Sequence, residues 1–327
     1  MDNQTPIFRF APTYAASAPV SSRPRQSQPQ SASAPVADQP RQPVLRFAPS
    51  PNGYLHLGHA LSALIVWQWA KALNGKFLLR IEDTDISRSK SHFVDAIYED
   101  LSWLGISWEE PVRVQSEHLP DYQSAIDQLW QRKLLYPAPA SRTEIKQAVK
   151  GLDEAQIPWP RDPDGSPFYP FSERDRAQTP ETIPEDAPLR LDLGAALAEL
   201  ETQTLDASIL ANPSAQPQTI PLDPALWGDP LIRGRDRPVT YHLAVVIDDA
   251  LQGVTHVVRG HDIEAATSLH RLLQAVLGLP APLYHHHRLI MGADGRKLSK
   301  SEGAQSLRAL RKAGLSRDAL VERLIDQ

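Results

Sequence analysis

An α/β fold built on a parallel sheet is the class this sequence predicts, and three observations carry it. Near residue 44 a short apolar strand, Val44–Phe47, leads through a Pro- and Gly-rich turn into a long helical pattern and then a second strand, Phe77–Ile81. That is a β-α-β unit, which implies parallel pairing. Late in the chain the alternation returns, with a strand at Thr255–Val258, a helix at Ile263–Leu277 and a strand at Leu289–Met291. The length of 327 residues, 41% of them hydrophobic, allows a large core and about two domains.

The elements follow in order. Residues 1–43 are rich in Pro, Ser, Gln and Ala with almost no aliphatic clusters, the composition of a disordered extension. Arg9-Phe10-Ala11-Pro12 there echoes Arg46-Phe47-Ala48-Pro49 without the Gly and His that follow the second copy. The helix after the first strand is read over Gly58–Asn74. Leu61, Leu64, Ile65 and Leu73 fall at helical spacing, and Asn74-Gly75 is a stop signal. A further helix spans Ser91–Leu104 and ends at Gly105. The first half of the sheet domain therefore runs over 44–136. Residues 137–225 read as an insertion, proline-rich, with short helices such as Thr143–Lys150. The second half, 226–327, resumes near Pro230 with an expected strand at Thr240–Ile247 and closes in helices from Ser306.

Composition narrows the function. No cysteine is present, so disulfides and thiolate metal sites are excluded. The longest apolar candidate, Ala60–Leu73, is interrupted by Gln68 and Lys71, too short and too polar for a membrane span. No secretory h-region stands near Met1, which fits a cytoplasmic protein. A net charge of −5 means that any nucleic-acid contact comes from a local basic patch, for which Arg296, Lys297, Lys300, Arg308, Arg311 and Lys312 are candidates.

Two stretches carry chemistry. In "RFAPSPNGYLHLGHA" a strand feeds a loop at a helix N-terminus, where free N–H groups and the positive dipole end suit an anion. Gly53 and Gly58 allow close backbone approach. His56 and His59, three apart, can lie on one side of the turn and donate to phosphate oxygens. No G-x-x-x-x-G-K-[ST] occurs, which excludes a P-loop. In "ADGRKLSKSEGA" Lys297 and Lys300 bracket Leu298-Ser299 between Gly295 and Gly303; a lysine there can neutralise charge developing on a departing pyrophosphate. The run His285-His286-His287 on a strand would alternate faces and chelate poorly.

Together and in this order, His56-Leu57-Gly58-His59 and Lys297-Leu298-Ser299-Lys300-Ser301 resemble the HIGH and KMSKS signatures of class I aminoacyl-tRNA synthetases. "RIEDTD" at Arg80–Asp85 and "YHLAVVIDDALQGVTHVVRGHD" at Tyr241–Asp262 resemble the glutamyl subgroup. The resemblance implies a doubly wound, Rossmann-like α/β catalytic domain with an inserted α/β subdomain. It also implies roles. Arg46, Ala48, Ser50, Glu82, Tyr241 and Arg259 would form the glutamate pocket, with Glu82 on the α-ammonium and the two arginines on the two carboxylates, in an order left open. His56, Gly58, His59, Lys297, Ser299 and Lys300 would hold ATP; His56, His59 and Lys300 would be the catalytic residues. Glu82 paired with Arg80 as a plain surface ion pair is the alternative at that position.

Two departures from the subgroup's pattern matter. Where members often hold zinc through three cysteines and a tyrosine, this chain reads "YPAPASR" (Tyr136–Arg142) and "FYPFSER" (Phe168–Arg174); Ala138 and Ala140 replace thiolates and Tyr169 alone remains, so no zinc is expected. Few residues follow Ser301, where full-length members carry an anticodon-binding region. That points to the short branch that glutamylates queuosine, a modified anticodon base. The expected partners are then L-glutamate, ATP with Mg²⁺ and the tRNA(Asp) anticodon stem-loop, with a monomeric chain and no membrane. The rival readings are a truncated enzyme charging the tRNA 3′ end, a nucleotidyltransferase acting on a small molecule, and a non-enzymatic RNA-binding paralogue.

Overall fold

The computed structural model describes residues 42–156, 158–171, 180–200, 204–290 and 305–325. Over these, strands β1 (Val44–Phe47), β2 (Lys76–Ile81) and β3 (Glu109–Val114) alternate with helices α1 (Leu57–Ala72) and α2 (Ser91–Trp103). Helix α3 (Leu119–Gln131), β4 (Leu135–Pro137), α4 (Arg142–Glu154), β5 (Leu189–Leu191), α5 (Leu193–Glu199), β6 (Asp206–Ile209), β7 (Gln218–Pro221) and β8 (Leu231–Arg233) follow. The chain then forms α6 (Tyr241–Leu251), β9 (His256–Gly260), α7 (Ala266–Leu277), β10 (Leu283–His287), α8 (Leu307–Lys312) and α9 (Arg317–Ile325).

Seven strands make the large sheet, ordered β3-β2-β1-β9-β10-β6-β7. Every neighbouring pair is parallel except β6–β7, an antiparallel edge. The expected α/β class is therefore what the chain adopts. The β6–β7 pair lies inside the 137–225 segment yet completes the large sheet, while β4, β5 and β8 form a separate antiparallel sheet.

Two apolar cores flank the sheet. One gathers β1, α1, β2 and α2 with α8 and α9, around Leu45, Leu64, Trp69, Ile97 and Leu320. The other gathers α3, β5, α6 and α7, around Ile126, Leu129, Leu191, Leu243 and Leu272. Each fully buried aliphatic side chain contributes roughly 1.5–3 kcal/mol. Helix α1 is buried on nearly every side, which accounts for its continuous apolar sequence.

Two expected strands are corrected. Thr240–Ile247, read as a strand from its β-branched run, lies almost wholly in helix α6. Leu243 through Asp249 are all buried, so the segment shows no polar face, and without one a short apolar run fits either period. The strand expected at Leu289–Met291 lies earlier, at Leu283–His287. Histidines occupy that buried strand because each imidazole finds a polar or aromatic neighbour: His285 Nδ1 with the Leu210 carbonyl at 2.8 Å and its ring 4.5 Å from Trp69, and His287 Nε2 with Ser62 Oγ at 3.1 Å. Among the described residues no helix is long and apolar enough to cross a membrane.

Candidate active site

Strand β1 has β2 on one side and β9 on the other, and successive connections leave it in opposite directions. Such a switch point opens a crevice beyond the carboxyl ends of the strands. A cleft of about 560 Å³ occupies it, and Arg46, Ala48, Ser50, His56, Gly58, His59, Glu82, Tyr241 and Arg259 all line it. Nine residues singled out in the sequence, on or beside β1, α1, β2, α6 and β9, thus meet in one cavity.

At the start of α1 the two histidines cap the helix. His56 Nδ1 accepts from the Gly58 N–H at 3.1 Å, and His59 Nδ1 accepts from the His56 N–H at 3.2 Å. An Nδ1 that accepts leaves the ring proton of a neutral imidazole on Nε2. Both rings therefore keep Nε2–H as a donor, with centroids 3.8 Å apart. Gly58 makes this possible: a Cβ there would come within 3.0 Å of His56 Cε1.

Under the cleft floor lies a buried ion cluster. Arg46 Nε donates to Asp249 Oδ1 at 2.9 Å, and Arg80 Nη1 reaches the same oxygen at 2.9 Å. Arg80 also meets Glu82 at 3.3 Å and Asp248 at 3.6 Å. Asp248 in turn accepts from Arg113 Nε and Gln115 Nε2 at 2.7 Å and from the Tyr122 hydroxyl at 3.0 Å. Burial alone would push the Asp249 carboxyl up; Arg46 and Arg80 overturn that and hold it below its usual range. At Glu82 burial wins over the pull of Arg80 and Arg46, and its pKa rises to about 7. The Arg80–Glu82 pair exists, but it is buried, and Glu82 lines the cleft rather than the outer surface.

On the opposite wall, Arg259 is held by uncharged acceptors. Arg259 donates from Nη1 to His270 Nδ1 at 3.0 Å, from Nη2 to Thr267 Oγ1 at 2.7 Å and from Nε to His286 Nε2 at 3.4 Å. Burial, then the Arg259 charge, hold the His286 pKa down at about 2. Just beyond, the tips of Asp262 and Leu289 close over Gly260, so that a Cβ there would displace both side chains.

Lys297, Ser299 and Lys300 lie outside the described residues. The chain on either side is placed at the cleft: Ile290 lines it, and Ser306 bridges to His56, with Leu307 N–H donating to the Leu55 carbonyl at 2.7 Å. Arg308 reaches the Tyr54 hydroxyl at 2.7 Å. In the insertion, Tyr136, Ala138 and Tyr169 form a small apolar cluster with Ile145 and Phe171 packed against it. Ala138 and Ala140 offer no ligand atom and the Tyr136 hydroxyl donates to Asp229 at 2.8 Å, so these residues do not fit a zinc ion.

Asp248, Asp249, Thr267 and His270 were given no role in the sequence reading, and His286 was weighed there only as a poor chelator. The two aspartates stood inside "YHLAVVIDDALQG" as a rare acidic pair in an apolar run, which was the available signal.

Comparison with known proteins places this geometry. Residues 43–326 match the family "tRNA synthetases class I (E and Q), catalytic domain". The chain is 43% identical over 284 residues to a Glutamyl-Q tRNA(Asp) synthetase of Rhodobacter capsulatus, covering 86% of this chain and 99% of that protein. It is 38% identical to a Glutamate–tRNA ligase of Synechococcus sp., covering 84% of this chain and 56% of the relative. Among solved structures, the crystal structure of glutamate-tRNA synthetase from Elizabethkingia anophelis superposes with a TM-score of 0.62 at 26% identity; the match covers 84% of this chain and spans about half of that one, 54%. With a switch-point cleft, a histidine-capped α1 and a match over nearly all its described length, this chain belongs to the class I tRNA synthetases of the E and Q group.

Proposed function

We propose that the chain activates L-glutamate with ATP to glutamyl-adenylate and transfers the glutamyl group to the queuosine base of tRNA(Asp). In the first step an α-carboxylate oxygen attacks the α-phosphorus of ATP, which arrives with Mg²⁺, and pyrophosphate leaves. In the second, a hydroxyl of the queuosine cyclopentene diol attacks the acyl carbon and AMP leaves. The observation that carries the reading is the charge layout of the cleft: a guanidinium on each of β1 and β9, a carboxylate just after β2, and two Nε2–H donors at the start of α1.

The residues divide the work. Glu82 receives the α-ammonium, and Ala48, Ser50 and Tyr241 shape the pocket. Arg259 receives the side-chain carboxylate, since it donates to no carboxylate among the described residues, whereas Arg46 is already paired with Asp249. His56 and His59 donate to phosphate oxygens, with Gly58 keeping the turn narrow. Lys300, with Lys297 and Ser299, stabilises the charge on departing pyrophosphate. Supporting the queuosine step, the chain is 43% identical to the Glutamyl-Q tRNA(Asp) synthetase of Rhodobacter capsulatus and 38% identical to the Glutamate–tRNA ligase.

Two tRNA(Asp) samples test the transfer step. One keeps queuosine but has its 3′ terminus removed; the other is intact and made in cells lacking queuosine. Labelled glutamate should enter the first and not the second. The reverse pattern would make the chain a 3′-end-charging enzyme.

A further inference from the structure

A file of hydrogen bonds leads away from the cleft behind Arg259. An arginine offers only donors, so His270 Nδ1 must accept from Arg259 Nη1, which puts the His270 proton on Nε2. That Nε2 lies 3.1 Å from His242 Nδ1, which must then accept, leaving the His242 proton on its own Nε2. The His242 Nε2 faces Oδ2 of Asp164 at 3.7 Å. A residue with donors only stands at one end and a carboxylate with acceptors only at the other, so a single set of tautomers suits both hydrogen bonds and turns the His242 N–H toward Asp164. His270 is buried, and burial, then the Arg259 charge, hold its pKa well below the usual histidine range.

Packing fixes the file. Tyr241, on the cleft, sets its ring 5.2 Å from His242 and 5.7 Å from His270, and Trp227 meets His242 edge-on at 4.9 Å. Asp164 belongs to a tight turn in the insertion, closed by the Arg161–Pro167 bridge and by the Ser166 N–H donating to Asp162 Oδ1 at 2.8 Å. None of the three side chains Arg259 donates to is a carboxylate. A carboxylate there would neutralise the charge a ligand must meet; a neutral imidazole orients the guanidinium and leaves its charge intact.

We propose that His270 and His242 are positioning residues for Arg259, with Asp164 setting the direction of both imidazoles, so that an insertion turn tunes affinity for the amino-acid substrate. The inference rests on the reading that Arg259 receives a substrate carboxylate.

Pyrophosphate exchange on the full chain separates the two. His270→Leu removes both ring nitrogens; His270→Asn restores an amide oxygen close to the lost Nδ1, whereas His270→Gln places its amide near Nε2. The KM for glutamate should rise about 10- to 100-fold in the Leu variant, the scale of a lost hydrogen bond to a charged group, with kcat and the KM for ATP within about twofold of wild type. The Asn variant should recover most of the loss and the Gln variant little. His242→Phe should raise the glutamate KM by a smaller factor, about 3- to 10-fold. Should His270→Leu fail to fold, His242→Phe and ¹⁵N NMR of the wild-type rings, which should show both protonated on Nε2, still decide. Equal losses in the Asn and Leu variants, or an Nδ1-protonated His270, overturn the proposal. If Arg259→Gln leaves the glutamate KM unchanged, the pocket reading itself fails; if Arg259→Gln raises it and His270→Leu does not, only the positioning role fails.

Discussion

Arg46 and Arg259 stand on adjacent parallel strands, 5% and 4% exposed, and face one cleft, yet they are held by opposite chemistry. Arg46 shares a carboxylate oxygen of Asp249 with Arg80, and the surrounding cluster extends through Asp248 to Arg113. Its charge is compensated before any ligand arrives. Among the described residues Arg259 is gripped by two imidazoles and a hydroxyl and by no carboxylate, so its charge is oriented but not paired. A buried charge without a counter-ion is costly. The β1 wall therefore uses its electrostatics in the fold, and the β9 wall leaves a guanidinium for the substrate carboxylate that the proposed function assigns to it.

The sharpest way to break this contrast is to remove the carboxylate. Asp249→Ala leaves Arg46 and Arg80 buried without their shared acceptor and should cost about 3–5 kcal/mol in urea unfolding. Thr267→Val, the counterpart beside Arg259, should cost only about 1–3 kcal/mol. Comparable losses in the two variants would erase the distinction. Next in size, Arg259→Gln should raise the glutamate KM about 10²–10³-fold, the scale of truncating one partner of a buried charge pair. Its thermal midpoint should stay near that of the native chain, because the change removes an unbalanced charge; a large drop in midpoint would mean that Arg259 serves the fold as Arg46 does. The smallest effect concerns pH. The Glu82 pKa of about 7 means that the carboxylate is mostly protonated at pH 6 and mostly ionised at pH 8 in the ligand-free protein. An α-ammonium binds the ionised form, so the glutamate KM should fall about tenfold as pH rises from 6 to 8. In Glu82→Gln that slope should vanish; a slope that survives assigns the titration to another group.

The first β-α-β unit was legible because every signal agreed: an apolar strand, a period of 3.6, and an Asn74-Gly75 stop that the structure realises with Asn74 at φ 50°. Helix α6 was not, because a helix buried all round loses the polar face that reveals its period. The bounds of strand β10 were missed because its three histidines are polar, and the partners that let them lie buried, Arg259, Leu210 and Ser62, are distant in sequence. The cleft's lining was readable from motifs that sit in continuous stretches. Its supports were not. Arg80 and Asp249 are separated by 169 positions and Arg46 and Asp249 by 203, and no local pattern announces a pairing across that distance.

Asp248 and Asp249 ride on a helix of one apolar core, while Arg46 and Arg80 belong to strands built into the other. Apolar surfaces grip without direction, so two such bodies pressed together could settle in many neighbouring poses. Charged forks are selective about angle and distance. The four side chains work like the pins of a lock set into a soft joint: they allow one alignment of the two halves, and the cleft whose shape depends on that alignment lies directly above them.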